Sequence, residues 1–206
     1  MIFLEVKLFV NMETQGNTYL IIDEKKNCCV VDPGGLKMKQ LTTYIKENEL
    51  NLESILLTHG HYDHIIGVPN IEEYKKVPVY IGEKDYEFLY DSTLSLSLWS
   101  DLDFKLGKNV EVIKVKEGDV IFGMEVVETP GHTQGGVCYL SREDKFLFSG
   151  DTIFKMTYGR TDFPTGSLAA LRTSIAKIME LDGEITVYPG HGGETKISSE
   201  RVYHIF

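Results

Sequence analysis

Four short segments rich in His, Asp and Gly each follow directly on an apolar run, and this pattern constrains the fold more than any other feature of the sequence. The segments are Thr58–His64, Thr129–Thr133, Ser149–Thr152 and Tyr188–Gly192. Short apolar runs bounded by turn residues are typical of buried strands. Glycine beside each His or Asp permits the sharp turn that a strand end of this kind needs. Scattered core histidines would not all occupy that place, so we expect the four strand ends to build one site.

The segment Thr58–His64 holds three imidazoles and a carboxylate within six residues. Neutral imidazole and ionised carboxylate are ligands that suit borderline divalent metals such as zinc. A loop at the end of a buried strand can direct His59 and His61 at one ion, and Asp63 and His64 at a second. The alternative is a polar turn that is rich in His without binding anything.

The other motifs supply the remaining ligands for two ions. Two metals roughly 3.5–4 Å apart can share one hydroxide, and sharing requires a bridging carboxylate, for which the isolated Asp151 is best suited. The predicted ligands are His59, His61 and His132 for one ion, Asp63, His64 and His191 for the other, and Asp151 between them. Zinc is the expected metal, with iron or manganese as alternatives. Cys138 lies within a predicted strand and is expected in the core, and His204 is expected to be a surface or packing residue.

Composition narrows the class of function. The chain has 206 residues, 42% of them apolar and 25% charged, which is typical of a globular protein. Its net charge of −10 gives no general attraction for nucleic acid or an anionic membrane, so we expect a small-molecule substrate and neither of those partners. Three cysteines, with Cys28 and Cys29 adjacent, do not make a disulfide framework and favour the cytoplasm. Glu5 and Lys7 interrupt the apolar N-terminus, which indicates a strand and not a signal peptide.

Hydrophobic periodicity and turn residues predict the secondary structure. Strands are expected at Ile2–Val10, Asn17–Asp23, Asn27–Val31, Pro78–Ile81, Val110–Val115, Asp119–Phe122, Met124–Glu128, Val137–Leu140, Lys145–Phe148 and Ile185–Tyr188. Helices are expected at Leu36–Asn48, at Glu83–Tyr90 and over the repeat Leu168, Leu171, Ile175 and Ile178. A further short helix is expected to begin at an Asn70 cap, to which the side chain of Glu73 reaches back. A short terminal segment, Ser198–Phe206, closes the chain. This order suggests sheets with helices outside them.

Two features allow alternative interpretations. Asp32, in Asp32-Pro33-Gly34-Gly35, either bonds its own backbone as a turn former or orients a metal-bound histidine. In the segment 91–109, Leu94, Leu96 and Leu98 alternate with serines before Trp99. The segment is either a half-buried strand or packed loop, or an apolar wall beside a substrate cleft, because long loops in compact domains are often functional.

The four motifs together resemble those of the metallo-β-lactamase superfamily of metal-dependent hydrolases. The resemblance runs over nearly the whole chain, including Asp32-Pro33-Gly34. It implies an α+β fold, an αββα sandwich in which two mixed sheets face each other, helices cover the outside and the metals lie at one edge. A single domain spanning residues 1–206 is expected.

Within that superfamily, the pair Asp63-His64 resembles the hydroxyacylglutathione hydrolases, or glyoxalase II enzymes. True β-lactamases usually lack that second His and carry Cys where Asp151 stands. Gly159–Pro164 strengthens the similarity to the small, single-domain bacterial and archaeal glyoxalase II-like branch. The chain ends 15 residues after His191, so we expect it to lack the C-terminal helical domain that supplies glutathione contacts in larger glyoxalase II enzymes.

The resemblance implies thioester hydrolysis of the S-lactoylglutathione type. Two metals would lower the pKa of a bridging water and polarise the thioester carbonyl, and Asp63 and Asp151 would orient the resulting hydroxide as catalytic residues. Arg160, Tyr158 and Lys155 are candidates to bind an anionic substrate tail, with a structural ion pair of Arg160 as the alternative. Competing functions are a persulfide dioxygenase with a single iron, a ribonuclease of the same fold, and a non-catalytic binding protein.

Overall fold

The strands of the computed structural model, which describes residues 4–204, form two six-stranded sheets and one two-stranded sheet. The first large sheet contains β1 (Glu5–Val10), β2 (Asn17–Ile22), β3 (Asn27–Val31), β4 (Asn51–Leu57), β5 (Val79–Gly82) and β6 (Val112–Val115), in that order. Strands β1 to β3 pair antiparallel, whereas β3 to β6 pair parallel. The sheet is therefore mixed, as expected.

The second large sheet is built from the later part of the chain. Its strands are β7 (Val120–Ile121), β8 (Met124–Glu128), β9 (Val137–Ser141) and β10 (Phe146–Gly150), followed, after β11 (Ile153–Phe154) and β12 (Thr157–Tyr158) of the small sheet, by β13 (Thr186–Pro189) and β14 (Thr195–Lys196). The order across the sheet is β14-β13-β10-β9-β8-β7. Only the β10–β13 pair is parallel among its pairings in the described residues.

Helices cover the outer face of each sheet. They are α1 (Lys39–Glu47), α2 (Tyr62–Ile65), α3 (Val68–Tyr74), α4 (Leu168–Met179) and α5 (Ile197–Glu200), with 3-10 helices at Glu83–Leu89 and Ser97–Ser100. The side chain of Ser167 caps α4 by accepting a hydrogen bond from the backbone N–H of Ala170 at 3.3 Å. Within the described residues, no helix has the length and apolar character needed to cross a membrane.

Side chains that alternate between the two faces of a strand explain how the sheets and helices form separate layers. In β2, Tyr19 and Ile21 belong to a buried cluster that includes Tyr139 and Phe148 of the second sheet, whereas Leu20 belongs to the cluster containing Leu41 and Ile45 of α1. Successive side chains of a strand point to opposite faces, so one strand serves both an inner and an outer core.

The second sheet is covered on its outer face by α4. Leu171, Ile175 and Ile178 recur at helical spacing and share a buried cluster with Leu147 and Val187 of β10 and β13. The arrangement of helix, sheet, sheet and helix confirms the predicted αββα sandwich.

Two predicted helices differ from the structure. The predicted cap at Asn70 is wrong, because α3 begins at Val68, two residues earlier, with a proline in its first turn. The Asn70 carboxamide oxygen instead accepts the backbone N–H of Met38 at 3.2 Å, which fixes the residue before α1. The predicted helix at Glu83–Tyr90 is a 3-10 helix that ends at Leu89.

The segment 91–109 contains turns and the short 3-10 helix but no strand, so the half-buried strand is wrong. Leu96 and Asp101, on either side of the helix, have left-handed backbone angles (φ 64° and 57°) that turn the chain sharply. Strands β11, β12 and β14 and helix α2, each two to four residues long, were not predicted. The ends of the predicted segments Ile2–Val10 and Ser198–Phe206 lie outside the described residues.

Candidate metal centre

The four motifs meet at one edge of the sandwich. His59 to His64 follow β4 of the first sheet, and His132, Asp151 and His191 follow β8, β10 and β13 of the second. The backbone N–H of Val137 donates to the carbonyl of Thr58 at 2.8 Å and ties the two sheets together beside the motifs. The short helix α2 turns the first motif back on itself, so that Asp63 and His64 face the same space as His59.

The first donor group consists of His59, His61 and His132. Their ring centroids lie 4.7–4.9 Å apart, and all three side chains are buried. His61 Nδ1 lies 2.9 Å from His132 Nε2. One nitrogen of each ring lies within 4.8 Å of one nitrogen of the others, which is the spacing of ligands around a common ion.

The second donor group consists of Asp63, His64 and His191. His191 Nε2 lies 3.2 Å and His64 Nε2 3.9 Å from Asp63 Oδ2. The three donor atoms again fall within 4.8 Å of one another. The side chain of His191 is the most exposed of the three, at 29%, so this group is closer to solvent than the first.

Asp151 lies between the two groups. Its Oδ1 is 3.4 Å from His64 Nε2, and its Oδ2 is 3.6 Å from His132 Nε2 and 3.7 Å from His191 Nε2. The carboxylate therefore approaches ligands of both groups, the position that a bridging ligand requires. Gly190 permits this approach, because a Cβ there would meet Asp151 Oδ1 and His64 Cε1.

Hydrogen bonds to the far side of three imidazoles fix their orientation. The Nδ1 atoms of His132 and His191 lie 2.7 Å and 2.9 Å from the backbone carbonyls of Arg160 and Gln15. A carbonyl only accepts, so each Nδ1 carries a proton and each Nε2 is directed at the cluster. His64 Nδ1 lies 3.0 Å from a carboxylate oxygen of Asp32. Such contacts commonly orient histidines that bind metals.

Burial and charge divide the imidazoles into two kinds. Burial, together with the neighbouring imidazoles, lowers the pKa of His59 and His61 well below the usual value, so both rings are neutral. For His64, burial disfavours the charged form, but the carboxylates of Asp151, Asp63 and Asp32 raise its pKa to about 10. Metal binding at His64 would therefore release a proton.

The electrostatics of the second group follow the same logic. Burial acts to raise the pKa of Asp63, but the charges of His64 and His191 outweigh it and lower that pKa. Burial lowers the pKa of His191, whereas the hydrogen bond to Asp63 and the charge of Asp151 raise it above the usual value. The ionised Asp63 carboxylate is thus held among the imidazoles.

The donor set fits divalent metal ions. Buried Nε2 atoms of His59, His61 and His64 and Oδ1 of Asp151 have no hydrogen-bond partner among the described residues. Buried polar atoms are rarely left unpaired, because desolvation without a partner is costly. Imidazole nitrogens and carboxylate oxygens gathered in this way can hold one ion at each donor group.

Asp32 supports the segment Thr58–His64 from behind. Its carboxylate accepts the backbone N–H of Thr58 at 2.7 Å and the hydroxyl of the same residue at 2.6 Å, in addition to the contact with His64. Of the two interpretations of Asp32, the structure favours the orienting role, because its side chain bonds the metal motif and not its own turn.

Asp85 is a buried carboxylate that the sequence analysis missed. Its Oδ2 accepts from the Gly60 N–H at 3.0 Å and from the Thr133 hydroxyl at 2.7 Å, and its Oδ1 accepts from the Gly135 N–H at 2.7 Å. It thereby joins the loop of His59 and His61 to the loop of His132. Burial raises its pKa to about 6, against these hydrogen bonds. No local motif marks Asp85, which looks like one acidic residue of a surface helix.

A cavity of about 480 Å³ opens onto the two donor groups. It is lined by His61, Tyr62, Asp63, Leu96, His132, Asp151, Phe154, Gly159, Arg160, Phe163 and His191. Leu96 belongs to the segment 91–109, and Trp99 of the same segment packs edge-on against Phe163, with ring centroids 5.7 Å apart. The segment therefore contributes an apolar wall to the cleft. The volume is in the range of small-molecule sites.

The three candidate substrate contacts lie in different positions relative to the cavity. Arg160 lines the cavity, but its guanidinium is bound to Asp162, the ion pair considered as the alternative. Tyr158 does not line the cavity, and its ring lies 6.1 Å from that of His204. Lys155 is exposed and also absent from the lining.

Two residues excluded as ligands lie apart from the donor groups. Cys138 is fully buried in β9, and burial raises the pKa of its thiol to about 11. His204 is buried, with Nε2 3.3 Å from Glu200 Oε2. Both positions agree with the predicted core and packing roles.

Comparison with known protein families identifies the family to which the chain belongs. A family model described as the metallo-beta-lactamase superfamily matches residues 12–191. The chain belongs to this superfamily. It is thus a member of a family of metal-binding hydrolases, as the four motifs indicated.

Individual relatives share nearly the whole superfamily domain. The hydroxyacylglutathione hydrolase GloC of Haemophilus influenzae is 33% identical over 197 residues, covering 91% of this chain and 90% of its own. The crystal structure of the B3 metallo-beta-lactamase BLEG-1 superposes with a TM-score of 0.90 at 33% identity, covering 95% and 96% of the two chains. TTHA1623, solved in a di-iron-bound form, gives a TM-score of 0.85 at 30% identity, covering 94% and 96%.

Proposed function

We propose that this protein is a binuclear metallo-hydrolase that cleaves thioesters of the hydroxyacylglutathione type. The observation that carries the proposal is the pair of donor groups with Asp151 between them. His59, His61 and His132 would hold one ion, Asp63, His64 and His191 would hold the other, and Asp151 lies within 3.4–3.7 Å of nitrogens from both groups. The similarity to GloC supports the thioester substrate.

Divalent ions bound there would lower the pKa of the attacking water and would act as a Lewis acid on the carbonyl oxygen. The chain's own residues do the rest. Asp63 and Asp151 line the cavity and orient the attacking water by accepting its hydrogen bonds. Asp32 and the backbone carbonyls of Gln15 and Arg160 keep three imidazoles in the tautomer that presents Nε2 to the site.

The remaining walls suit a thioester. Leu96, Phe154 and Phe163 make an apolar surface beside the polar floor of the cavity, and Arg160 lies at its edge as the proposed contact for an anionic carrier. A thiol has a pKa of about 8.5, so the thiolate leaves without strong help from a general acid. Zinc is the proposed metal, and the di-iron relative makes iron the first alternative.

The test combines metal content with turnover. Elemental analysis of the purified protein should find about two divalent ions per chain, and S-lactoylglutathione should be hydrolysed. Asp151→Ala should lose metal and reduce kcat/KM by about a hundredfold or more. Full activity of a metal-free Asp151→Ala protein would refute the proposal.

The persulfide dioxygenase is the main competing function. It would bind a single iron per chain and consume oxygen with glutathione persulfide. Both quantities are measured on the same preparation as thioester hydrolysis. A β-lactam substrate belongs in the same panel, because the BLEG-1 structure is as similar in sequence as the GloC relative.

A further inference from the structure

Arg160 and Asp162 form a forked ion pair at the edge of the cavity. Arg160 Nε donates to Asp162 Oδ1 at 2.6 Å, and Arg160 Nη2 donates to Asp162 Oδ2 at 2.5 Å. The two side chains are 59% and 65% exposed. The hydrogen bonds from Arg160 lower the pKa of Asp162 to about 2, so the carboxylate is ionised at neutral pH. Two parallel bonds of this kind are how a guanidinium recognises any carboxylate.

The guanidinium is held in place independently of Asp162. Its central carbon lies 4.1 Å above the centre of the Phe163 ring, and the backbone carbonyl of Arg160 accepts the Nδ1–H of His132 at 2.7 Å. The Phe163 ring in turn lies 5.7 Å from that of His61. The backbone of Arg160 is therefore tied to His132, and its guanidinium lies over Phe163, which lines the cavity as Arg160 does.

Arg160 is the only Lys or Arg among the described residues that line this cavity. A carboxylate on a bound substrate thus has one Arg and no Lys of the described lining to pair with, and Asp162 already occupies that Arg. We propose that Asp162 determines specificity by competing for Arg160, which weakens binding of thioesters whose thiol carrier bears a carboxylate. This inference rests on the proposed thioester hydrolase function.

The expected effect is modest, because the pair is exposed to water. Exposed ion pairs change equilibria by about two- to fivefold at low salt. Asp162→Asn removes the competing charge and leaves Arg160 on Phe163, so it should strengthen binding of a carboxylate-bearing ligand by about that factor. The affinity for a neutral ligand should not change, because such a ligand has no carboxylate to pair with the freed guanidinium.

Two probes that differ in charge test this directly. Calorimetry measures the Kd of S-methylglutathione, which carries carboxylates, and of S-methyl-N-acetylcysteamine, which is neutral, with the wild type and with Asp162→Asn. Trp99, the single tryptophan of the chain, packs against Phe163 and reports binding at this position by its fluorescence. The ratio of the two Kd values should shift by about two- to fivefold towards the charged probe in Asp162→Asn.

Glu125→Gln is the matched control. It removes the same charge from an exposed pair, in which Arg142 Nε donates to Glu125 Oε2 at 2.8 Å, and neither residue lines this cavity. The ratio of the two Kd values should stay at the wild-type value in this control. An equal shift in both variants would mean a general effect of net charge and would overturn the inference.

Two further results would also overturn the inference. One is an equal change of Kd for both probes in Asp162→Asn, which would give Asp162 only a structural role. The other is that neither protein binds the charged probe. Failure of the proposed function looks different: neither S-lactoylglutathione nor its neutral N-acetylcysteamine counterpart would be hydrolysed by the wild type. The two Kd values would still decide the role of Asp162 in that event.

Discussion

Asp32 Oδ2 accepts a hydrogen bond from His64 Nδ1 at 3.0 Å, although the two residues are 32 positions apart and both side chains are buried. The same carboxylate holds Thr58, the first residue of the metal motif. Asp32 therefore links the end of β3 to both ends of the motif that follows β4. The geometry of His64 depends on a residue that contributes no ligand atom.

Asp32→Asn should weaken metal binding and leave the fold intact. The carboxamide has the shape of the carboxylate but lacks its charge, and it offers one acceptor where two oxygens now bond Thr58 and His64. Loss of such a supporting group typically costs 10–100-fold in metal affinity. Competition with a chromogenic chelator measures that affinity, and far-ultraviolet circular dichroism reports the fold. Unchanged affinity would show that Asp32 does not orient His64.

His64 should make the stability of the metal-free protein depend on pH. Its pKa is about 10 in the folded chain, against burial, because of Asp151, Asp63 and Asp32, compared with 6.5 in an unperturbed histidine. A pKa that is raised in the folded state adds stability. This stabilisation is complete at pH values below the pKa in the unfolded chain, and it is lost as the pH rises through the pKa in the folded chain. The window is therefore about pH 6.5 to 10.

The comparison is between the wild type and His64→Asn after removal of metal by a chelator. Asn retains a donor near Nδ1 for Asp32 but does not titrate. From pH 6.5 to pH 10, the free energy of unfolding of the wild type should fall relative to that of the variant by up to about 5 kcal/mol. Urea denaturation at several pH values gives this difference. A difference that does not vary with pH would contradict the prediction.

Asp85→Asn should destabilise the protein by about 1–3 kcal/mol. Three donors converge on its carboxylate, and an amide has only one acceptor oxygen, so its NH₂ group must face an N–H or hydroxyl donor. Metal affinity should fall as well, because Gly60 and Thr133 lie next to the proposed ligands His59, His61 and His132. Urea denaturation and chelator competition measure the two effects.

Asp91→Asn is the control for this change. Asp91 Oδ1 accepts from the backbone N–H groups of Thr93 and Leu94, but the residue lies at the surface, where water satisfies an amide. The same substitution should therefore change stability there by no more than about 0.5 kcal/mol. Equal losses at the two positions would mean that the burial of Asp85 is not what matters.

The difference between Asp85 and the predicted ligands shows what a sequence reveals. His59, His132, Asp151 and His191 were predictable because each follows its own apolar strand beside glycine, which is a local signal. The donors to Asp85 lie 25, 48 and 50 positions away in sequence, so only the folded chain brings them together.

Similar reasoning explains two places where the structure departs from the local sequence pattern. The cap at Asn70 was plausible locally, but the N–H of Met38, 32 residues earlier, takes its side-chain oxygen. Tyr158 follows the metal motif closely in sequence, yet the small sheet of β11 and β12 turns its ring towards His204. In each case a tertiary contact outweighs a local pattern.

Gly190→Ala should disrupt both donor groups. The added Cβ would meet Asp151 Oδ1 and His64 Cε1, so one or both ligands must move. The backbone has little freedom to relieve this contact, because the Gly190 N–H donates to Gly150 at 2.8 Å and its carbonyl accepts from Asn17 at 2.7 Å. Inserting a methyl group into a packed site costs about 1–3 kcal/mol. Metal affinity should fall by about tenfold or more, since displaced ligands lose their geometry.

Gly193→Ala separates this steric effect from the general effect of replacing glycine. A Cβ at Gly193 meets nothing within 4 Å, and the position is three residues from Gly190 in the same loop. Metal affinity, measured by chelator competition, and the free energy of unfolding should therefore both remain near the wild-type values for Gly193→Ala. If Gly190→Ala also retained wild-type metal affinity, His64 and Asp151 could not both be ligands in the positions seen here, because the methyl group occupies space that one of them needs.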